Sequence, residues 1–317
     1  MSVGDIFIVI APVFAVIFLG IFLGRTPLFE TKGQDDQISA ALIRYVNFIA
    51  IPALLIRALA NRELPQPEEL ILIAGYYSGM YVVYFLTVFL VARWLKQKPE
   101  ERAMSGMIAC FVNIGFVGLP IAEKVYGSEG VRLFLIIMSF HSLTLIPTTL
   151  VLMARARNRG GAGFNPIAMV KSNPVLISLC IGLSWSALKL PFPDWLDQIL
   201  ELPAQSAAPV GLFAGGLALS RISLAGAVKD ISTLTFVKLC VMPVAVWITS
   251  RFVFDLPGLY VAIAVLMAAL PSGLIPYMLA MNEKVAPRRA ASTLLLTVLL
   301  APISLSAVLY LIGIKAL

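Results

Sequence analysis

Two stretches that contain proline and glycine hold the residues best suited to binding chemistry. The first runs from Asn113 to Pro120 and reads Asn-Ile-Gly-Phe-Val-Gly-Leu-Pro. The second runs from Pro271 to Tyr277 and reads Pro-Ser-Gly-Leu-Ile-Pro-Tyr. Both interrupt apolar runs, and a backbone group freed by such a break is tolerated inside a bilayer only where protein, water or ligand satisfies it. Two interrupted spans in corresponding places indicate the binding site of a transporter.

The chemistry predicted at these breaks is anion binding. The helix that resumes after a break presents unpaired N–H groups and about half a positive charge. Asn113 adds an amide, and Ser272 and Tyr277 add hydroxyls. In the alternative interpretation, Asn113 only caps the broken helix and the glycines only allow close packing. The candidate substrate-binding residues at the breaks are Asn113, Gly115, Gly118, Pro120, Pro271, Ser272, Gly273, Pro276 and Tyr277.

Lys238 is a candidate for coupling or charge compensation. It lies about nine residues into the apolar run 230–251, or about 13 Å along a helix, close to the bilayer centre. A lysine at that depth is costly, so it is expected to have a function. It could attract substrate or take the place of a coupling cation, or it could extend its ammonium group towards the cytoplasm.

Other polar residues within apolar runs are further candidates. His141 and Thr144 share one face of the run 131–154, where His141 could relay protons or form a structural hydrogen bond to another helix. Asn47, with Pro52, predicts a distorted second span. The seventh span has similar distortion signals at Gly211, Gly215 and Gly216. These two spans either line the cavity opposite the breaks or cross closely.

The composition excludes a soluble protein and sets the frame for these residues. Of 317 residues, 60% are hydrophobic and 13% charged, and the mean hydropathy is +0.93. We therefore predict an all-α integral membrane protein. Runs long enough for a hydrocarbon core of about 30 Å predict ten transmembrane helices, at 6–24, 37–59, 70–93, 104–123, 131–154, 166–187, 203–221, 230–251, 258–281 and 290–313.

The basic residues predict the orientation of these spans. The net charge is +7, and most lysines and arginines fall on one side of the membrane if both termini lie outside. We expect a cell (inner) membrane protein with that orientation, with the lipid bilayer as a partner and no nucleic acid partner. No catalytic, cofactor or metal motif occurs, so we expect neither an enzyme nor a cofactor.

Prolines recur at a constant offset and predict an internal repeat. Pro52 and Pro209, Pro120 and Pro276, and Pro147 and Pro302 lie 155 to 157 residues apart. Five spans in each copy make the second copy insert upside down, giving inverted repeats. The predicted organisation is a first repeat at 1–154, a cytoplasmic linker at 155–165 and a second repeat at 166–317.

The motifs at the breaks resemble those of the auxin efflux carrier family, which includes the plant PIN proteins. The residues that carry this resemblance are Asn113, Gly118, Pro120, Tyr126 and Gly127 in the first stretch, Pro271, Gly273, Pro276 and Tyr277 in the second, and Pro287, Pro302 and Asn173-Pro174 elsewhere. The long loop that many plant members carry between the fifth and sixth helices is missing. The chain is therefore similar to a compact bacterial permease.

The resemblance implies a fold and a class of substrate. The fold is like that of sodium/proton antiporters and bile acid transporters. Helices 1, 2, 6 and 7 form a scaffold that also makes a homodimer, helices 3 to 5 and 8 to 10 form a transport domain moving as an elevator, and helices 4 and 9 cross. The substrates are small carboxylates, either auxin-like compounds or dicarboxylates such as malonate.

We therefore expect a secondary transporter of small organic anions that works by alternating access. A ligand-sensing receptor on the same fold is the alternative. All carboxylates lie in loops or at span ends, with Glu123 the deepest, so no carboxylate is available to bind sodium at the midplane. We expect transport of the anion driven by the membrane potential, with proton symport through His141 as the second possibility.

Overall fold

The computed structural model describes residues 3–27, 37–60, 67–113, 117–157, 174–220 and 228–315. Within these ranges the chain consists of helices joined by short turns and loops, and its β-structure is one isolated antiparallel bridge. Gly115, Asn173 and most of the predicted linker lie outside the described residues. The helices are α1 (Val3–Leu23), α2 (Gln37–Tyr45 continued by Ile51–Ala60), α3 (Pro67–Leu86 continued by Ala92–Trp94), α4 (Pro99–Cys110), α5 (Leu119–Ala156), α6 (Pro174–Ala187), α7 (Asp194–Ser220), α8 (Val228–Phe236 continued by Met242–Ile248), α9 (Gly258–Ala269), α10 (Leu274–Glu283) and α11 (Pro287–Lys315).

Each predicted apolar run overlaps a described helix or pair of helices, although residues 166–173 of the sixth run and 114–116 of the fourth lie outside the described residues. The runs 104–123 and 258–281 are divided, the first between α4 and the start of α5 and the second between α9 and α10. In the described ranges, six helices are long and apolar enough to cross a membrane by themselves. The protein is therefore an all-helical, multi-pass membrane protein. The count of ten spans and the inverted repeat stay predictions.

Wider π-helical turns interrupt three of the long helices. One of them, Val46–Ala50, contains Asn47 and precedes Pro52, so the predicted distortion of the second span is confirmed. Proline lacks an N–H group and clashes with the carbonyl four residues earlier, and an extra residue in the turn relieves that clash. In contrast, α7 continues as one α-helix past Pro203 and Pro209. The predicted distortion of the seventh span is wrong.

One glycine of α7, Gly216, allows close packing against α1. At Gly216 an added Cβ would lie 2.2 Å from the backbone oxygen of Ile17 and 2.9 Å from Cα of Gly20, so α1 and α7 touch backbone to backbone. At Gly215 an added Cβ would meet only Leu274, at 3.8 Å. The close-crossing interpretation is therefore correct for Gly216, and Gly215 faces α10.

The helices pack in two groups. In one group α1 packs along α7, and α2 packs against both α6 and α7. In the other group α3, α4, α5, α8, α9, α10 and α11 pack on one another. The groups meet where α1 contacts α5 and α11 and where α5 contacts α6. The two breaks belong to the second group.

Ion pairs cluster at helix ends. Arg289 bonds Asp230 at 3.0 Å and Glu101 at 3.2 Å, which joins the starts of α4, α8 and α11. Among the described residues, the other pairs between helices are Arg157–Glu283, Arg57–Asp197, Arg57–Glu201 and Arg132–Glu69. Each of these joins residues that the alternation of the predicted spans places on the same side.

Two carboxylates are buried within the protein. Glu69 and Asp230 have exposures of 2% and 7%, whereas Glu123 is exposed. Both buried acids lie at ends of predicted spans, as expected, and the depth of Glu123 in the membrane stays a prediction. An arginine partner compensates each of the two buried acids, and both acids lie near the start of a helix. Helix starts favour negative charge, so these positions are compatible with a structural role.

Candidate functional site

The two breaks lie side by side and bond to each other through the backbone. Val112 and Ser272 form an isolated antiparallel bridge. The N–H of Asn113 donates to the carbonyl oxygen of Pro271 at 2.9 Å, and the N–H of Gly273 donates to that of Phe111 at 3.4 Å. The two breaks, which are far apart in the chain, therefore satisfy some of each other's backbone N–H and C=O groups.

Local sequence explains why the second break is extended. Leu270 precedes Pro271 and takes ψ of 149°, as a residue before proline prefers. Gly273 then brings the two extended segments together, because an added Cβ would lie 2.9 Å from Cδ1 of Phe111 and 3.0 Å from the oxygen of Val112. The helix resumes at Leu274. The proline sets the extension and the glycine allows the contact.

Two side chains accept the bridge N–H groups that the backbone leaves free. The N–H of Val112 donates to Nε2 of His141 at 3.2 Å. The N–H of Ser272 donates to Oγ1 of Thr297 at 3.2 Å. His141 thus makes the structural hydrogen bond that was one of its two interpretations. The Ser272 hydroxyl donates to the carbonyl of Ile108 at 3.1 Å, near the end of α4.

Asn113 keeps its amide available at this crossing. Its side chain is half-buried and forms no hydrogen bond with another described residue. The N-cap of α5 is Gly118, and no side chain bonds the start of that helix in the described part of the chain. Capping by Asn113 is therefore not seen there. The unused amide could donate to and accept from a ligand.

Lys238 bonds the end of α9, the helix that leads into the second break. Its side chain has no exposed surface, so extension towards the cytoplasm is wrong. The ammonium donates to the carbonyl of Ala268 at 2.8 Å and lies 3.4 Å from Sδ of Met242. Ala268 is in the last turn of α9, where the helix dipole favours a positive charge. Among the described residues, no carboxylate pairs with Lys238.

An aromatic wall borders the first break. The ring of His141 lies 4.8 Å from that of Phe111 and 6.1 Å and 6.3 Å from those of Tyr76 and Tyr77, measured between centroids. The Tyr77 hydroxyl donates to the carbonyl of Ile137 at 2.7 Å, which ties α3 to α5. The Tyr76 hydroxyl and Nδ1 of His141 are buried and have no partner among the described residues. The wall is therefore mainly apolar, and two of its buried polar atoms have no partner among the described residues.

Of the other predicted site residues, some lie close to the breaks and others lie away from them. Pro120 lies in the first turn of α5, and Pro276 and Tyr277 lie in the first turn of α10, close to the breaks. Thr144 bonds its own helix through the carbonyl of Phe140 at 2.8 Å. Asn47 lies in the part of α2 that packs against α6 and α7, in the first group of helices.

Thr297 is a site residue that the sequence interpretation missed. Threonine is common in membrane helices and bonds its own helix, as Thr297 also does through the carbonyl of Leu294 at 2.9 Å. A signal was nevertheless present, because Thr297 follows His141 by 156 residues, which is within the offset of the matched prolines. Applying that offset to every polar residue of the fifth span would have found it.

Interrupted apolar helices that pair with each other through their breaks are typical of membrane transport proteins. The sequence model of the family described as "Membrane transport protein" matches residues 5–169 and 164–309. The chain belongs to this family, the auxin efflux carrier family, and the predicted resemblance is confirmed.

Individual relatives match over almost the whole chain. A protein of Rhizobium meliloti (strain 1021) named "Putative malonate transporter" is 26% identical, covering 97% of this chain and 96% of the relative. "Uncharacterized transporter YfdV" of Escherichia coli (strain K12) is 25% identical, covering 91% of each. An "Uncharacterized transporter" of Methanothermobacter thermautotrophicus is 25% identical, covering 86% of this chain and 88% of the relative.

Proposed function

We propose that this protein is a secondary transporter of small organic anions, specifically carboxylates, which bind where the two breaks meet. The observation that carries this proposal is the paired crossing at Val112 and Ser272, with the free amide of Asn113 beside it. Membership of the family supports the transport function, and the chemistry of the crossing supports an anionic substrate.

The charge balance at the crossing favours an anion. Two helices end there and two begin, with about half a negative and half a positive charge at each end respectively. Lys238 neutralises the end of α9 through Ala268, and the Ser272 hydroxyl bonds near the end of α4. The starts of α5 and α10 keep their positive ends. The sum is close to one positive charge in a region of low dielectric constant.

Malonate and similar dicarboxylates are the first substrates to test. The Rhizobium meliloti relative carries malonate in its name and aligns with this chain over nearly its full length. Auxin-like monocarboxylates are the second class to test, because the chain belongs to the auxin efflux carrier family.

The proposed mechanism is elevator-type alternating access. The scaffold comprises α1, α2, α6 and α7, and the remaining helices form the transport domain. The packing in two groups supports this division, and so does the Arg289 cluster, which joins α4, α8 and α11 within one group. A homodimer formed through the scaffold in the inner membrane, with both termini outside, completes the proposal.

The proposed driving force is the membrane potential acting on the anion. A charge moved across 100 mV gains about 2.3 kcal/mol, so export of an anion from a cell with a negative interior needs no partner ion. The buried Lys238 would repel a sodium ion. Proton symport is the second possibility, for import. His141 would be an unsuitable proton carrier for it, because its Nε2 accepts the hydrogen bond from the N–H of Val112.

Proteoliposomes provide the test of this function. Purified protein should catalyse saturable uptake of radiolabelled malonate, malate or indole acetate, and unlabelled substrate should compete. Control liposomes should contain the protein with Asn113 replaced by alanine. Saturable binding of any of these acids without flux would contradict the transporter and favour the sensing receptor.

A further inference from the structure

We propose that His141 and Thr297 are a matched pair of positioning residues that hold the two breaks in the geometry that binds substrate. Each accepts one N–H group of the bridge, His141 from Val112 and Thr297 from Ser272, both at 3.2 Å. His141 stands on α5, which begins directly after the first break, and Thr297 stands on α11, the second helix after the second break. The identity of the substrate in this proposal rests on the proposed function, whereas the geometry of the two breaks does not.

Thr297 is oriented to act as an acceptor. Its hydroxyl proton is donated to the carbonyl of Leu294 at 2.9 Å, which leaves its lone pairs for the N–H of Ser272. Thr297 has no exposed surface, so water cannot easily replace it as an acceptor. A buried N–H without a partner is costly, and the break would shift to find one. Thr297 therefore fixes the direction of the second break.

His141 fixes the first break in the same way. An imidazole whose Nε2 accepts a hydrogen bond carries its proton on Nδ1 and is neutral. Protonation would make both nitrogens donors and would break the bond from Val112. The groups that face His141 are Tyr76 and Tyr77 from α3, with Lys238 within electrostatic range from α8. His141 thus acts as a fixed acceptor, not as a proton carrier.

The pair determines which groups remain for the ligand. The N–H groups of Val112 and Ser272 are occupied by side chains, and those of Asn113 and Gly273 by the opposite break, so none of these four described residues has a free backbone donor. The side chain of Asn113 and the starts of α5 and α10 are left to bind the anion. Loosening either break would misplace these groups.

The experiment separates positioning from general stability. Thr297→Val removes the acceptor at nearly constant volume, and Thr297→Ser restores it. Thr293→Val is the matched control, because Thr293 lies one turn earlier on α11, is equally buried and has a hydroxyl with no partner among the described residues. If Thr297→Val does not accumulate, Thr297→Ala removes the same acceptor without added apolar bulk.

Two measurements are made on each variant, namely amide hydrogen exchange of peptides covering the breaks and the kinetics of anion uptake. Thr297→Val should raise the exchange rate at Ser272 and the KM for substrate by about ten-fold or more, as expected for one lost buried hydrogen bond. Thr297→Ser and Thr293→Val should stay within about two-fold of the parent.

His141→Gln tests the second member of the pair. A glutamine carbonyl can accept the N–H of Val112 but cannot carry a proton. Exchange at Val112 and the pH profile of transport should therefore match the parent, whereas His141→Leu should raise exchange at Val112 by about ten-fold. A pH profile that changes in His141→Gln would overturn the fixed-acceptor role.

The outcomes distinguish this proposal from the proposed function. Unchanged exchange at Ser272 in Thr297→Val would overturn the positioning pair, whether or not the protein transports carboxylates. Altered exchange in a protein that moves none of the acids would support the pair and contradict the proposed substrates. An equal effect of Thr293→Val and Thr297→Val would reduce Thr297 to a packing residue and refute the pair.

Discussion

Replacing Lys238 by methionine should weaken anion transport without unfolding the protein. Methionine keeps the length of the side chain and removes the ammonium that bonds Ala268. Lys229→Met is the matched control, because Lys229 lies on the same helix, is exposed and rests over the ring of Trp94 at 3.8 Å. Both variants lose one positive charge, but only one loses it at the crossing.

The stability change is expected to be small because opposing contributions nearly cancel. Burying an ammonium costs several kcal/mol. Its hydrogen bond to the carbonyl of Ala268 returns about 1.5 to 3 kcal/mol, and the end of α9 returns up to about 2 kcal/mol. Lys238→Met should therefore change the free energy of unfolding by less than about 2 kcal/mol.

The change in affinity should be larger and should depend on the charge of the substrate. An anion at the start of α10 would lie on the order of 10 Å from Nζ. At that distance and an effective dielectric constant of about 20, one charge is worth about 1.7 kcal/mol, or about 18-fold in affinity. A dianion such as malonate should lose about 3.3 kcal/mol, or about 270-fold.

The assay compares the two classes of acid in the same vesicles. KM is measured for a dicarboxylate and a monocarboxylate in the parent, Lys238→Met and Lys229→Met, at equal protein content and high buffer capacity. Lys229→Met should leave both values within about two-fold. Equal losses for the monoanion and the dianion, or a KM that does not change, would refute the role of Lys238 as a fixed positive charge at the site.

Three further changes test separate parts of the structure. Asn113→Ala should lower transport about ten-fold or more at unchanged surface expression, since a hydrogen bond to a charged group contributes about 1.5 to 3 kcal/mol; unchanged kinetics at equal protein level would make Asn113 a packing residue. Gly216→Ala should lower the melting temperature through overpacking of about 1 to 3 kcal/mol against Ile17, whereas Gly215→Ala should be neutral, and equal effects of the two would contradict the close crossing of α1 and α7. Uptake should follow a potential set with valinomycin and ignore a sodium gradient; a strict sodium requirement would overturn the coupling proposal.

The breaks could be predicted from the sequence because proline and glycine act locally. Pro271 restricts Leu270, and Gly273 removes a Cβ, whatever lies next to them in the fold. Apolar runs likewise predicted the helices, since the length of a span is set by the thickness of the bilayer. The close approach at Gly216 was also signalled, although the expected distortion of its helix was wrong.

Contacts between distant segments could not be predicted in this way. Nothing in the residues around Lys238 indicates that its ammonium reaches Ala268, because that contact depends on how α8 packs against α9. Nothing around Val112 names Ser272 as its partner. The free amide of Asn113 could be proposed from the sequence, but the absence of a capping bond within the described residues became visible only in the structure.

The bridge between Val112 and Ser272 also has a consequence for biogenesis. The ribosome completes the first break about 160 residues before the second, which is an interval of about 8 to 32 seconds at ordinary rates of synthesis. During that time the N–H of Asn113 and the carbonyl of Phe111 lack their partners across the bridge. The first half of the protein must therefore wait in the translocon, in a chaperone or beside water until its second half arrives. Premature release into lipid would leave these backbone groups unsatisfied in hydrocarbon, at a cost of several kcal/mol for each group.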